Sequence, residues 1–203
     1  MPKNKISKNW VIKQARDLYV KKSKIEGYRS RAVYKLVDIN NKFKIFKNGI
    51  SVVDLGAAPG SWSQLIVKEI KNIKLVTVDL QDMEKVKNAY QIKGDFTSSS
   101  IKILIKEYFK EKIDLVLSDM AINTTGNKNL DSTLTGDLCL NAMNFATEIL
   151  KTDGIFVSKI FMGSSFKEII SLSKKKFKKT NIFKPPASRK ESKENFIICK
   201  HLR

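Results

Sequence analysis

Val52-Val53-Asp54-Leu55-Gly56-Ala57-Ala58-Pro59-Gly60-Ser61-Trp62 runs from an apolar, β-branched stretch through two glycines into a helical pattern. Strand, glycine turn and helix in that order begin a βα unit, and the free N–H groups of a helix starting near Ser61 favour an anionic group. Gly56 and Gly60 allow the chain to turn tightly against a ligand. The third glycine of a dinucleotide fingerprint is missing. Outward from this stretch the alternation repeats. Leu75–Val78, Tyr90–Ile92, Ile113–Leu117, Gly154–Val157, Ile182-Phe183 and Phe196–Ile198 predict six more strands, with helical patterns between most of them at Trp62–Ile70, Ser99–Phe109, Asn141–Leu150 and Phe166–Phe177. Strands bounded by helices need crossover connections, so the pattern predicts an α/β, Rossmann-like fold: a mostly parallel seven-stranded sheet with helices on both faces. The last two strands are joined only by the loop Lys184–Glu194. That is too short for a crossover helix, so they are expected to form an antiparallel hairpin at one edge.

Upstream of the first strand, Trp10 to Ile25 reads as an amphipathic helix (Trp10, Ala15, Leu18, Tyr19) stopped by Gly27, and Ser30 is placed to cap a second helix through Val33, Leu36, Val37 and Ile39. With 203 residues, 42% hydrophobic and 9% aromatic, one domain is expected: a basic helical arm over residues 1–49 and a catalytic core over 50–203. No apolar stretch is long enough to cross a membrane and the first ten residues lack an apolar core, so a cytoplasmic protein is expected, with no membrane partner. The two cysteines, Cys139 and Cys199, lie far apart and His201 is the single histidine. A disulfide framework, a zinc cluster and histidine base catalysis therefore lack their residues, and no metal is expected. The chemistry must run on Lys, Asp, Glu and backbone.

The net charge of +19 suggests a polyanionic partner, although 34 of the 39 basic residues are lysine, a bias that an A/T-rich genome would produce by itself. Its distribution is more telling. Residues 1–50 carry +11, residues 51–150 carry −2 and residues 151–203 carry +10. Uniform drift would not leave the middle neutral, so both chain ends are expected to build one polyanion-binding face. Arg29, Arg31 and Arg189 lie in the end segments, and a guanidinium grips phosphate in a fork that lysine cannot copy.

In a doubly wound sheet the ligand lies outside the carboxyl ends of the strands, where strand order reverses. Asp79 ends the second strand 23 residues after Gly56, where a carboxylate takes both hydroxyls of an adenosine ribose. Asp95, in Gly94-Asp95-Phe96 after the third strand, is placed to meet the adenine. Glycine turn, ribose acid and adenine acid at successive strand ends describe an S-adenosylmethionine site.

Four residues are out of place chemically. Lys159 interrupts the apolar run Ile155–Phe161, where an unpaired ammonium costs several kcal/mol. Asp119 follows an apolar strand, Lys35 lies in Arg29-Ser30-Arg31-Ala32-Val33-Tyr34-Lys35-Leu36, and Glu194 opens the last strand. The order Lys35, Asp119, Lys159, Glu194 resembles the Lys-Asp-Lys-Glu tetrad of the FtsJ-type RNA 2′-O-ribose methyltransferases. The chain also carries segments similar to that family's at Arg29–Leu36, Val52–Gly60, Ser118-Asp119-Met120-Ala121-Ile122-Asn123 and Ser188-Arg189-Lys190-Glu191-Ser192-Lys193-Glu194. Two positions depart from it: Ser61 replaces the second glycine of Gly-Gly-Trp and Tyr34 stands where phenylalanine is usual.

The resemblance implies a single-domain, monomeric class I methyltransferase that uses S-adenosylmethionine and methylates a ribose of RNA. The nearest likeness is to the bacterial heat-shock member, which acts on a uridine of 23S ribosomal RNA in the large ribosomal subunit. It further implies that Gly60, Trp62, Asp79, Asp95 and Asp119 contact the cofactor, that Lys159 accepts the 2′-hydroxyl proton, and that Asp119 and Glu194 orient Lys159 and the hydroxyl, with Lys35 crowded against Lys159. A tRNA or mRNA-cap ribose methyltransferase, and a non-catalytic RNA-binding assembly factor on the same fold, are the alternatives.

Overall fold

The computed structural model describes residues 17–122 and 128–203. Helices α1 (Leu18–Ile25) and α2 (Val33–Phe43) precede β1 (Ser51–Leu55), α3 (Ser61–Glu69), β2 (Lys74–Asp79), β3 (Ala89–Lys93), α4 (Ser99–Phe109), β4 (Ile113–Ser118), α5 (Lys128–Ile149), β5 (Leu150–Phe161), α6 (Phe166–Lys176), β6 (Phe177–Phe183) and β7 (Glu194–Leu202). The seven strands form one sheet in the order β3-β2-β1-β4-β5-β7-β6, parallel throughout except for β7, which runs antiparallel to β5 and β6. The Rossmann-like architecture predicted from the alternation is therefore present, with the hairpin at one edge. Within that hairpin β6 forms the outer edge and β7 is inserted next to β5.

Period-two alternation divides the core into two layers. Val53, Leu55, Val76, Val78, Val116 and Phe156 point to the face covered by α4, α5 and α6, while Val52, Leu75, Leu115, Leu117 and Val157 point to the face covered by α2 and α3. Val33, Leu36 and Ile39 of α2 are fully buried in the second layer together with Trp62, Phe196 and Ile198. The N-terminal helices thus share a core with the sheet.

Several boundaries differ from expectation. The predicted first helix is seen from Leu18, after Asp17, whose carboxylate accepts the Tyr19 N–H at 3.0 Å as its N-cap; residues 10–16 lie outside the described residues. Gly27 ends it at φ +75°, as a glycine stop should. Ser30 does not cap α2 directly: its hydroxyl accepts the Ala32 N–H at 3.2 Å and pairs with Ser61 Oγ at 2.8 Å, three residues before the helix begins. Helix α5 starts 13 residues before the predicted Asn141, because Thr135, Gly136 and Asp137 break the apolar periodicity of its first half. Gly136 is required by packing, since a Cβ there would collide with Ser165 just ahead of α6. Phe177 begins β6 and is buried at that point, so the preceding helix stops one residue short of it.

At the centre of the sheet the chain returns from β3 to β4 on the other side of β1, which makes β1 and β4 the switch point. The Asp119 N–H donates to the Leu55 carbonyl at 3.1 Å. Gly56 (φ +73°) lies so close that a Cβ would stand 2.7 Å from Met120 Cγ and 2.9 Å from its Cα. Only glycine fits there.

If α2 is part of one cooperative core, Leu36→Ala lowers stability by about 2–5 kcal/mol, the range for a large-to-small change at a fully buried site. Urea unfolding followed by circular dichroism and tryptophan fluorescence should then give one shared, shifted transition. Two separated transitions would show that the helical arm folds independently.

Candidate active site

A cavity of about 510 Å³ opens at the carboxyl ends of β1, β2, β3 and β4. Its lining includes Gly56 and Ala58 of the glycine turn, Asp79, Asp95, Phe96, Asp119 and Met120. Asp79 Oδ2 accepts the Ala58 N–H at 2.9 Å and its Oδ1 accepts the Gln81 N–H at 2.8 Å, so the residue expected at a ribose also braces the turn. Asp95 Oδ1 accepts both the hydroxyl (2.7 Å) and the N–H (2.8 Å) of Thr97, and these bonds hold its carboxyl below the usual range. Three carboxylates facing one cavity suit a ligand that carries hydroxyls and a positive centre. The cradle therefore fits an adenosyl sulfonium.

Gly60 and Trp62 lie elsewhere. Gly60 (φ +102°) is the N-cap of α3 and approaches the Arg29 guanidinium, and neither residue lines the cavity. The Trp62 indole is buried against Phe196, with ring centroids 5.8 Å apart, and donates to the Ala32 carbonyl at 2.8 Å. The Trp62 side chain thus holds a core position beside the turn. An indole large enough to fill the space between α3 and β7 is more stable there.

The four chemically conspicuous residues converge. Lys159 Nζ donates to the Asp119 carbonyl at 2.6 Å and to Asp119 Oδ1 at 3.0 Å, and Lys35 Nζ donates to Glu194 Oε2 at 2.7 Å. Ser188 Oγ donates to Glu194 Oε1 at 2.9 Å. Burial alone would raise the pKa of Asp119, but the nearby charges of Lys159 and Lys35 outweigh it and hold the carboxyl below its ordinary value. Burial likewise acts to lower the pKa of Lys35, and the charges of Asp119 and Glu194 with the bond to Glu194 leave it raised. Asp119 stays a carboxylate and Lys35 an ammonium. A second cavity, of about 310 Å³, is lined by Ser30, Arg31, Ala32, Lys35, Arg189, Ser192 and Glu194. The tetrad therefore stands between two cavities, with Asp119 on the wall of the first and Lys35 and Glu194 on the wall of the second.

The three arginines separate in role. Arg29 Nη1 donates to the carbonyls of Pro59 (3.0 Å) and Glu84 (2.9 Å), and Nη2 donates to that of Lys85 (3.1 Å). It clamps the glycine turn to the loop after β2, which corrects its expected place on an RNA face. Arg31 pairs with Asp17 and donates to the Ala187 carbonyl, and Arg189 Nε lies 3.6 Å from Asp17 Oδ2. Both stay beside the second cavity. Sequence reasoning missed Asp17, and gave Ser188 and Ser192 no role although both lie in the quoted Ser-Arg-x-x-Ser-x-Glu segment.

Asp54 was also missed as a charged group in the core. It is fully buried in β1, accepts Ser63 Oγ at 2.6 Å through Oδ2, and its Oδ1 has no partner. Burial pushes its carboxyl up to about 7 against the Ser63 bond, with Asp119 and Asp79 adding to the rise.

A seven-stranded sheet whose antiparallel strand is next to last, with a glycine turn and carboxylates at successive strand ends, defines the methyltransferase class of Rossmann-like proteins. Residues 28–202 match the model of FtsJ-like methyltransferases, and the chain belongs to that family. It is 60% identical over 203 residues to ribosomal RNA large subunit methyltransferase E of Pelagibacter ubique, covering 100% of both chains. It is 44% identical over 199 residues to the protein of the same name from Rickettsia bellii, covering 95% of this chain and 88% of that one. Among solved structures, one described as a ribosomal RNA methyltransferase from Plasmodium falciparum superposes with a TM-score of 0.78 at 29% identity, over 86% of this chain and 98% of that chain. A TehB-like SAM-dependent methyltransferase from Corynebacterium glutamicum, 16% identical with a TM-score of 0.54 over 83% of this chain and 87% of its own, shares the fold.

Native Asp54 keeps its proton to near pH 7, whereas the unfolded chain releases it near pH 4. The stability linked to that proton is fully present below about pH 4 and is lost as pH rises through 7. Asp54→Asn removes the linkage, so the variant gains on the wild type by on the order of 4 kcal/mol between those limits. Denaturant melts across this pH range should show the two curves diverging upward in pH. Parallel curves would mean that Asp54 is ionised in the native protein throughout.

Proposed function

We propose that this protein transfers the methyl group of S-adenosylmethionine to the 2′-oxygen of a ribose in large-subunit ribosomal RNA, a uridine of 23S RNA being the favoured target. The observation that carries the reading is the placement of Lys35, Asp119, Lys159 and Glu194 between two cavities, one suited to an adenosyl ligand and one beside two arginines. The protein works as a monomeric, single-domain enzyme in the cytoplasm. Among the described residues no helix is long and apolar enough to cross a membrane. The curated relatives support the ribosomal substrate through their names.

The bound cofactor supplies an electrophilic methyl group on a sulfonium centre. Asp79 and Asp95 line the cavity and would hold the ribose hydroxyls and the adenine of that ligand. Asp119, on the same wall, would offer its fixed negative charge to the sulfonium, and it anchors Lys159 through two hydrogen bonds. The RNA 2′-hydroxyl is a poor nucleophile, so the site must hold it in line with the methyl and remove its proton. Lys159 receives that proton at Nζ when it carries a lone pair. Lys35 and Glu194 hold the hydroxyl's other side and keep the second cavity charged but paired.

Labelled cofactor incubated with separate pools of tRNA, free large-subunit RNA and undermethylated large subunits should give a 2′-O-methylated nucleotide in the ribosomal pools. Label confined to tRNA would move the substrate to the alternative branch of the family, and no transfer to any RNA would overturn the reading.

Lys159→Ala should slow single-turnover methyl transfer by at least about 10²-fold, the lower range for a lost general base, with cofactor and RNA affinities changed only a few-fold. Lys159→Arg should fail too, because a guanidinium stays protonated. Near-normal rates in the arginine variant would reduce Lys159 to an electrostatic contact. Asp79→Ala, by contrast, should weaken cofactor binding by about 2–4 kcal/mol through loss of two charge-assisted hydrogen bonds, read by calorimetry.

A further inference from the structure

The second cavity holds an unusual arrangement at its outer end. Two guanidiniums, Arg31 and Arg189, converge on one carboxylate oxygen of Asp17. The side chains are mostly withdrawn from solvent, at 15% exposure for Arg31, 32% for Arg189 and 11% for Asp17. Burial and the neighbouring charge of Arg189 both lower the pKa of Arg31, and Glu194 and Glu191 only partly offset them. Such a pair requires an anion. The inner end of the same cavity is the Lys35–Glu194 pair.

We propose that Arg31 and Arg189 form the subsite for a phosphodiester of the RNA strand next to the methylated ribose, and that Asp17 occupies this subsite in the free protein as an internal anion that the phosphodiester displaces. The inference rests on the reading of the protein as an RNA 2′-O-methyltransferase and adds where the strand is gripped.

Three observations carry it. Guanidiniums bind phosphate oxygens as they bind carboxylates, so the ligand needs no rearrangement of either arginine. Arg31 keeps its orientation through Nη2 on the Ala187 carbonyl whichever anion is present. Asp17 is the residue whose carboxylate can leave: it precedes α1, where its backbone carbonyl accepts the Val20 and Lys21 N–H groups, and among the described residues the other carboxylate oxygen takes the N-cap bond from Tyr19. Arg29, with carbonyls on both terminal nitrogens, offers no such exchange. A strand held at the arginines places its next sugar toward Lys35 and Glu194, where the tetrad begins.

The exchange has a signature in salt. A phosphate that replaces a protein carboxylate releases fewer counterions than one that meets bare arginines. Asp17→Asn keeps an N-cap oxygen but removes the competing charge. Binding of a large-subunit RNA fragment, measured by filter retention between about 50 and 200 mM salt, should tighten by about three- to tenfold at low salt and steepen in slope by up to about one unit. In an Arg31→Ala, Arg189→Ala background the same change should give no gain. Asp153→Asn, at an exposed position near the opposite end of the sheet, should leave affinity within about twofold, as expected of a charge more than a screening length away. Asp17→Ser, which also caps, provides the same test if the asparagine variant folds poorly.

Unchanged or weaker binding by the folded Asp17 variants overturns the proposal, and so does an equal gain in the double-alanine background, which would trace the effect to total charge. Methyl transfer by the wild-type protein to the same fragment or to large subunits is measured alongside. Transfer without the Asp17 effect removes only the subsite, whereas absence of both RNA binding and transfer removes the functional reading as well.

Discussion

Two ammonium groups and two carboxylates are withdrawn from water along one seam between α2, β4, β5 and β7, and the architecture of this protein is arranged around keeping them paired. A single buried charge left without its partner costs about 3–5 kcal/mol, so Lys159 requires Asp119 and Lys35 requires Glu194. The pairs come from four separate elements. Only one strand direction makes this possible. In a wholly parallel sheet the first residue of β7 would stand at the amino end of β5, far from Asp119. Because β7 runs antiparallel, Glu194 pairs in register with Phe161 and Phe196 with Lys159, so both charges arrive at the carboxyl end together. The reversed strand is therefore the condition for assembling the site.

The glycine turn solves a second problem with the same economy of parts. Gly56 lets Met120 come within contact distance, and that closeness draws the Asp119 segment onto the end of β1. Arg29 and Ser30 then lock the turn from outside through Pro59 and Ser61. The serine that stands in place of a family glycine is used in this lock, which explains how the departure at position 61 is accommodated without reshaping the turn.

Most of the fold was legible because it follows from period and connection. Val52–Leu55 and Leu75–Val78 are mostly apolar and β-branched runs, broken only by Asp54 and Thr77, and strands buried on both faces look that way. Ser99–Phe109 was bounded correctly by its own pattern. The first half of α5 was hidden because Gly136 reads as a breaker there, whereas in the fold it leaves room for Ser165 ahead of α6. At the site, Lys159 was conspicuous because an ammonium in an apolar run must have a partner. Asp54 was equally buried but unremarkable in sequence, since an aspartate near a glycine turn reads as a capping residue. The placement of Trp62 was not legible for a related reason: the motif names the residue, but the packing of α3 against β7 decides which way the indole turns.

The arginines show the limit of reading charge from composition. The basic ends predicted a polyanion face, and three arginines near motifs seemed equally suited to phosphate. A guanidinium has five donors, and what it can bind depends on how many are already taken. Arg29 has given its terminal nitrogens to carbonyls and holds the cofactor side of the site together. Arg31 and Arg189 meet a single carboxylate, that of Asp17, and line the cavity whose wall also includes Lys35 and Glu194. The nearby residues Arg29 and Arg31 thus serve opposite sides of the tetrad, one bracing the turn beside the first cavity and the other lining the second. Ser30 between them is bonded to Ser61. One short segment ahead of α2 therefore ties the two cavities to a common backbone.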